Sequence, residues 1–224
     1  LVDLAEKSGR FGILADALEE IAGGTTGVSR LELLCEAATL RDQRAGRPED
    51  AVPTWRTVLD EATALGEEGR GSARRAALAL DDIYSRLDQP GPRADVLERR
   101  AELETTVEDR AAALAEAALV ARDRLSDLTR TVDLAQRRID LVGDAALPAA
   151  AGAADMLVDG LRALGRWEDL VVALRVRATA RGASDEARED RVEAASVLSG
   201  PLGRTSDAIE AWRAIEVDGG RDDA

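Results

Sequence analysis

The chain has 224 residues and a formal charge of −14, from 44 acidic and 30 basic side chains. This acidic excess argues against a nucleic-acid-binding function, which depends on neutralising phosphates with basic side chains, and against binding to an anionic membrane surface. No segment approaches the roughly 20 apolar residues that a membrane-spanning helix needs. The sequence contains no histidine, which removes the most common general base and the histidine-based zinc sites.

Hydrophobic residues make up 45% of the chain but aromatic residues only 2%. A core must therefore consist of aliphatic side chains from closely packed helices, and strand signals are weak throughout. The composition predicts an all-α protein.

The sequence repeats itself internally. Leu-Val-Asp followed by Gly-Arg and an aromatic residue occurs at 1–11 and at 157–167, an offset of 156 residues. Gly-Arg followed by Asp-Ala and Trp-Arg occurs at 46–56 and at 203–213, an offset of 157 residues. Two anchors with nearly the same offset predict an array of stacked units, and half of that offset predicts a four-helix block of roughly 78 residues.

Taken in chain order, each predicted unit is a helix, a turn and a second helix. First helices are best defined at 29–45, 153–164 and 189–199, and the glycine-rich segment 66–71 predicts a loop insertion. At two of the second helices, Arg100 and Ala135 occupy the place where Trp or Leu is expected. The second helices are predicted to open near Gly9, Gly46, Gly91, Ser126, Gly165 and Gly203.

The last of these second helices carries the family resemblance. Gly203 is suited to a left-handed helix cap, and Ala208, Trp212 and Ile215 then fall on one face. A Gly, then Ala, then an aromatic residue four positions later resembles the second helix of a tetratricopeptide repeat (TPR). The first helices lack the family's early Trp and Leu-Gly pair, and its closing Pro is also missing.

The resemblance covers essentially the whole chain. It implies a right-handed α-solenoid of antiparallel helix pairs with about eleven helices, organised as a single repeat array. The array is expected to be a fragment of a larger multi-repeat bacterial protein, truncated at both ends. The predicted units are approximately 1–24, 27–65, 70–105, 107–143, 145–181 and 184–218.

The sequence contains no convergent catalytic, cofactor-binding or metal-binding motif, so neither enzymatic activity nor a cofactor is expected. The single cysteine, Cys35, lies in an apolar helical run and is predicted to be a buried thiol. Four of the five aromatic residues occupy equivalent packing positions in the repeat, so the set is predicted to fill the core rather than to stack on a ligand. These residues are Phe11, Trp55, Tyr84, Trp167 and Trp212.

The candidate binding surface is a column of acidic residues. In a TPR-like array the first helices line the concave face, and counting ten residues back from each turn reaches an acidic residue in five units. Two interpretations are open: the column forms a groove for basic peptides, or arginines such as Arg74, Arg75, Arg122 and Arg162 neutralise it. The column consists of Glu36, Asp81, Glu116, Asp155 and Glu193, with Asp159 one turn further on.

The predicted function is that of a non-catalytic protein–protein interaction scaffold. The alternative is a sensory or regulatory module that binds a peptide or small ligand and controls an attached effector domain. The predicted partner is a protein or peptide, with a basic one favoured by charge, and the apolar ends of the array are predicted to allow self-stacking. Nothing in the sequence determines the compartment, although a cytoplasmic location is marginally favoured.

Overall fold

The computed structural model describes residues 10–143, 148 and 150–219, with side chains as far as residue 216. This part of the chain contains eleven α-helices and no strand. None of these helices is both long enough and apolar enough to cross a membrane. The helices are α1 (Phe11–Gly23), α2 (Gly27–Thr39), α3 (Pro48–Ala64), α4 (Arg70–Arg86), α5 (Pro90–Leu103), α6 (Val107–Asp123), α7 (Leu128–Val142), α8 (Ala151–Ala163), α9 (Trp167–Arg181), α10 (Asp185–Ser199) and α11 (Thr205–Gly219).

The helices pack in the order in which they follow each other along the chain. The chain forms two compact units, Leu1–Ala113 and Leu114–Ala224, and the division falls within α6. Consecutive helices from α1 to α5 pack against each other in the first unit, and those from α7 to α11 do so in the second. The all-α array of consecutively packed helix pairs that the sequence predicts is therefore confirmed. The right-handed superhelix and the six-unit boundaries stay predictions.

A residue with positive φ ends each first helix. The chain turns at Gly46, Asp88, Ser126, Gly165 and Gly203, whose φ angles lie between 53° and 66°. Left-handed residues satisfy the last carbonyls of a helix and redirect the chain. The second helix then begins two residues later in every case. These five positions, called the turn residues below, set a common register for the array; Gly9, the sixth predicted turn, lies outside the described residues.

The turn before α5 differs from the prediction. The turn residue is Asp88, whereas Gly91 lies inside the first turn of α5. Asp tolerates the left-handed region because its short side chain bonds locally to the backbone. The predicted register was therefore three residues late, and Leu97 rather than Arg100 occupies the position of Trp55. The predicted loop at 66–71 is likewise shorter, because α4 already begins at Arg70.

Each second helix buries a repeated set of residues against its neighbours. Counting from the turn residue, positions six, nine and thirteen form one stripe, called the forward face below. On four second helices these residues are all buried except Val52, which is partly buried. The forward faces are Val52, Trp55 and Leu59 on α3, Ala94, Leu97 and Ala101 on α5, Val132, Ala135 and Ile139 on α7, and Val171, Leu174 and Ala178 on α9.

The core prediction is confirmed for some aromatic residues and wrong for others. Trp55 and Tyr84 are buried, as is Cys35. Trp167 and Trp212, however, keep 36% and 38% of their surface exposed. Trp167 is the first residue of α9, and Trp212 lies on the forward face of α11, so position in the repeat did not ensure burial for either one.

Candidate functional site

The two predicted acidic positions of the first unit have different surroundings. Glu36 on α2 is exposed and makes no hydrogen bond or ion pair with a described residue. Asp81 on α4 is largely buried and pairs with two arginines of α5: Arg93 Nε lies 2.8 Å from Oδ1, and Arg100 Nη1 lies 3.5 Å from Oδ2. With Asp88 as the turn residue, the position ten residues back is Leu78 rather than Asp81. The structure therefore places Asp81 within a helix interface.

In the second unit, arginines neutralise most of the predicted acidic residues. Asp155 on α8 accepts hydrogen bonds from Arg177 Nη1 at 3.3 Å and from Arg181 Nη2 at 2.9 Å. Arg162 bridges Asp159, at 2.8 Å, and Glu193 on α10, at 2.8 Å.

Glu116 and the four arginines predicted to neutralise the acidic column lie in different surroundings. Glu116 lies partly buried on α6 and has a partner as well. Of the four arginines predicted to neutralise the column, Arg162 does so. The others have their direct partners elsewhere: Arg74 pairs with Glu104, Arg75 lies over the Trp55 ring, and Arg122 pairs with Asp123, although the charge of Asp159 also acts on Arg122.

Sequence reasoning missed a buried group of charges in the second unit. Asp190 on α10 is only 2% exposed and accepts hydrogen bonds from Arg177 Nη2 at 2.6 Å and from Arg181 Nη1 at 3.1 Å. Arg177 itself is buried between α8 and α10. A signal for this network was present, since arginine recurs twelve residues after the turn residue at Arg100, Arg138 and Arg177. The register shift at Asp88 concealed it.

The first unit also contains an open groove between α1 and α3, with α2 as its floor. Its volume is about 890 Å³. Ile13 on α1 and Leu34 on α2 both line it; Ile13 keeps 62% of its surface exposed, whereas Leu34 is buried. Gly12 and Pro53 widen the walls, because neither carries a long side chain. Leu34 and Glu36 are two residues apart on α2, about 200° around the helix, so the groove and Glu36 lie on opposite sides of it.

A largely buried arginine joins the three helices of the groove. Arg41 lies in a π-helical turn, Leu40–Arg44, that continues α2. It contacts Asp16 Oδ1 and Glu19 Oε2 on α1, each at 2.7 Å, and Thr54 Oγ1 on α3 at 2.8 Å. The Arg41 hydrogen bonds lower the pKa of the Glu19 carboxyl and outweigh the opposing effect of burial, while Glu19 raises the pKa of Arg41.

The charges around this groove are held in pairs rather than directed at a common point. Arg30 Nε lies 2.8 Å from Glu61, and Arg47 pairs with Asp50. Catalysis requires groups that converge on one reacting atom. Among the described residues there is no cluster of Cys, Asp or Glu able to hold a metal ion. The groove instead offers aliphatic surface beside paired and partly exposed charges, which suits binding of a polypeptide segment.

No protein-family model and no curated protein matches this chain. Two similar solved structures show TPR-like repeats of a Podosopora anserina protein designated a kinesin light chain. One shares 17% identity with this chain, covers 88% of it and 99% of the solved chain, and has a TM-score of 0.42. The other, of a singly substituted form of that protein, also shares 17% identity, covers 87% of this chain and 96% of the solved chain, and has a TM-score of 0.41.

Proposed function

We propose that the chain is a non-catalytic protein-interaction scaffold and that the groove between α1 and α3 binds a segment of a partner protein. The observation that carries this proposal is the open groove of about 890 Å³ with the exposed Ile13 in its lining. An apolar side chain that is mostly in water gains free energy when a partner covers it, at roughly 25 cal/mol per Å² of buried apolar surface.

The groove favours a segment with one aliphatic residue flanked by basic residues. The aliphatic side chain would cover Ile13, the exposed apolar residue of the groove. Asp16 is largely exposed although it contacts Arg41, and Glu49 is exposed on the opposite wall. Carboxylates at both sides of an apolar patch complement a basic segment and discriminate against an acidic one.

The acidic column supports a narrower proposal. Glu36 and Glu32 lie one helical turn apart on the exposed side of α2, and neither has a cationic partner among the described residues. A basic segment that crosses α2 would pair with both. In the second unit, Asp155, Asp159 and Glu193 would bind the basic residues of the partner. Each of these carboxylates would then have to give up its ion pair with an arginine of this chain.

Selection from a displayed random-peptide library tests the groove. Peptides that bind the chain are expected to contain an aliphatic residue next to Arg or Lys. Ile13→Lys should weaken the selected peptides at least tenfold, because it places a charge on the apolar patch without disturbing a buried residue. Val172→Lys is the matched control, since Val172 is similarly exposed on α9. Equal loss in both variants, or none in Ile13→Lys, would count against the groove.

Glu36→Lys tests the column separately. If basic segments bind at α2, this variant should weaken them severalfold and should reduce the salt dependence of binding. Glu68→Lys is a suitable control because Glu68 is also an exposed acidic residue of the first unit, outside α2. Equal effects of the two substitutions would mean that only the net charge of the chain matters.

A further inference from the structure

A small cavity lies between α3, α4 and α5 of the first unit. Its volume is about 170 Å³. Its apolar lining consists of Leu59 of α3, Leu80 of α4 and Val96 of α5, which are all buried. Described helices precede α3 and follow α5. The cavity is therefore an internal feature of the array.

Tyr84 of α4 lines the same cavity and has an unsatisfied hydroxyl. Only 2% of its surface is exposed, and the hydroxyl makes no hydrogen bond with a described residue. A buried hydroxyl ordinarily has a hydrogen-bond partner, because burying it without one costs free energy. Burial raises the pKa of this hydroxyl, the charge of Arg56 lowers it and that of Asp95 raises it. Both charged residues line the cavity, so the hydroxyl lies on the cavity side of the ring.

The charged side chains of the lining leave one cation without a counter-ion. Arg99 of α5 reaches across to α3, where its Nη1 lies 2.7 Å from Asp60 Oδ1. Asp95 has a partner within the chain as well. Arg56, in contrast, is exposed and makes no hydrogen bond or ion pair with a described residue. The cavity thus offers a guanidinium and a hydroxyl, both of which can donate to an anionic ligand.

We propose that this cavity binds a small organic carboxylate that has a compact aliphatic group. The carboxylate accepts hydrogen bonds from the Tyr84 hydroxyl and the Arg56 guanidinium, whose planar fork matches a carboxylate. The aliphatic group packs against the apolar lining. A cavity of about 150 Å³ holds a benzene molecule, so this one suits a ligand of roughly six to eight non-hydrogen atoms, such as 3-methylbutanoate.

This proposal goes beyond the binding of a partner protein in the groove between α1 and α3. The cavity is much smaller than that groove, and the pair between Arg99 and Asp60 links two of its walls. A polypeptide segment therefore fits it less well than a small molecule does.

The second unit provides an internal control for the site. Arg175 on α9 lies ten residues after its turn residue, as Arg56 does on α3. Tyr84 lies four residues before the next turn residue, and Ser199 has that place after α9. The second unit therefore has an exposed arginine at the equivalent position without the tyrosine.

Nuclear magnetic resonance tests the proposal directly, because Tyr84 is the only tyrosine of the chain and ¹³C-labelled tyrosine reports on this one ring. Titration with sodium 3-methylbutanoate at millimolar concentration should shift its signals until they saturate. 3-Methylbutylamine has the same aliphatic group with a positive charge and should not bind. Arg56→Met should weaken binding of the acid at least tenfold, whereas Arg175→Met should change it less than twofold.

Calorimetry extends the test to Tyr84→Phe, which keeps the ring, removes the hydroxyl and should weaken binding severalfold. Circular dichroism confirms that each variant is folded. Ile13→Lys should bind the acid as the parent does, which separates this cavity from the groove.

Four results would overturn the proposal. The first is the absence of a saturable shift in the parent chain, and the second is an equal effect of Arg56→Met and Arg175→Met. The third is binding of the amine as tight as that of the acid, which would mean that the cavity recognises only the aliphatic group. The fourth is tighter binding of a tripeptide that ends in leucine, which would mean that the carboxylate comes from a polypeptide terminus.

Discussion

Replacing Asp190 with alanine is expected to destabilise the second unit by about 3 kcal/mol, because it removes the main ion-pair partner of the buried Arg177 guanidinium. Asp190 accepts hydrogen bonds from Arg177 Nη2 at 2.6 Å and from Arg177 Nε at 3.1 Å, and its two oxygens lie 3.3 and 3.1 Å from Arg181 Nη1. Without it, Arg177 keeps only Asp155, at 3.3 Å. Removing one partner of a buried pair costs about 3–5 kcal/mol, and the remaining contact with Asp155 places this case at the lower end.

Urea unfolding followed by circular dichroism measures the loss. Repeat arrays unfold in parts, so hydrogen exchange should localise it, with faster exchange in α9 and α10 and unchanged exchange in α3 and α4. Asp159→Ala is the matched control: its carboxylate is 70% exposed in a pair with Arg162, and its removal should cost less than about 0.5 kcal/mol. The double variant Arg177→Met with Asp190→Leu should recover most of the stability. An Asp190→Ala protein as stable as the parent would refute this account of the network.

Three further substitutions or conditions give separate tests. Gly69→Ala should destabilise the chain by about 1–3 kcal/mol in urea unfolding, because the added Cβ would lie 2.0 Å from the Ala62 carbonyl oxygen. Gly71→Ala is the control: its Cβ would meet open space, so the substitution should be neutral or stabilising. The pKa of the Glu19 carboxyl is lowered from 4.5 in the folded chain. The ionised carboxylate therefore contributes its full stabilisation of the fold above pH 4.5, and this contribution is lost as the pH falls through the lowered pKa. The melting temperature of the parent should accordingly fall more steeply with acid than that of Glu19→Gln. Burial raises the pKa of the Cys35 thiol, so its reaction with a thiol reagent at pH 7 should be slow and should accelerate with urea.

The sequence was informative where one residue controls the local backbone. Glycine readily adopts positive φ, so Gly46, Gly165 and Gly203 could be assigned as turns directly, and the structure confirms them. Asp88 also adopts positive φ, but few aspartates do, and the turn was therefore assigned to the nearby glycine, Gly91. That one misplacement moved the register of α5 by three residues, and with it the residue assigned to the acidic column.

Side-chain pairing across helices was not predictable in the same way. Asp81 and Asp155 precede their helix ends in the sequence much as Glu36 does, yet they meet arginines of the following helix, while Glu36 remains exposed. The difference depends on which side chains of the next helix reach back, and that depends on the register. Burial of Trp55 but not of Trp212 has the same origin, because it requires a third helix that the local pattern does not specify.

The pairing determines how charge reversal on this scaffold must be interpreted. Reversing Asp155 or Glu193 removes a carboxylate from Arg177 or Arg162 and places two cations together, so lost binding would follow from lost structure as readily as from a lost contact. Glu36 has no such internal partner, and its reversal leaves every described ion pair intact. A combined reversal of Glu36, Asp155 and Glu193 therefore mixes two effects. Only a loss of partner binding in Glu36→Lys at unchanged unfolding free energy identifies the acidic column as a binding surface.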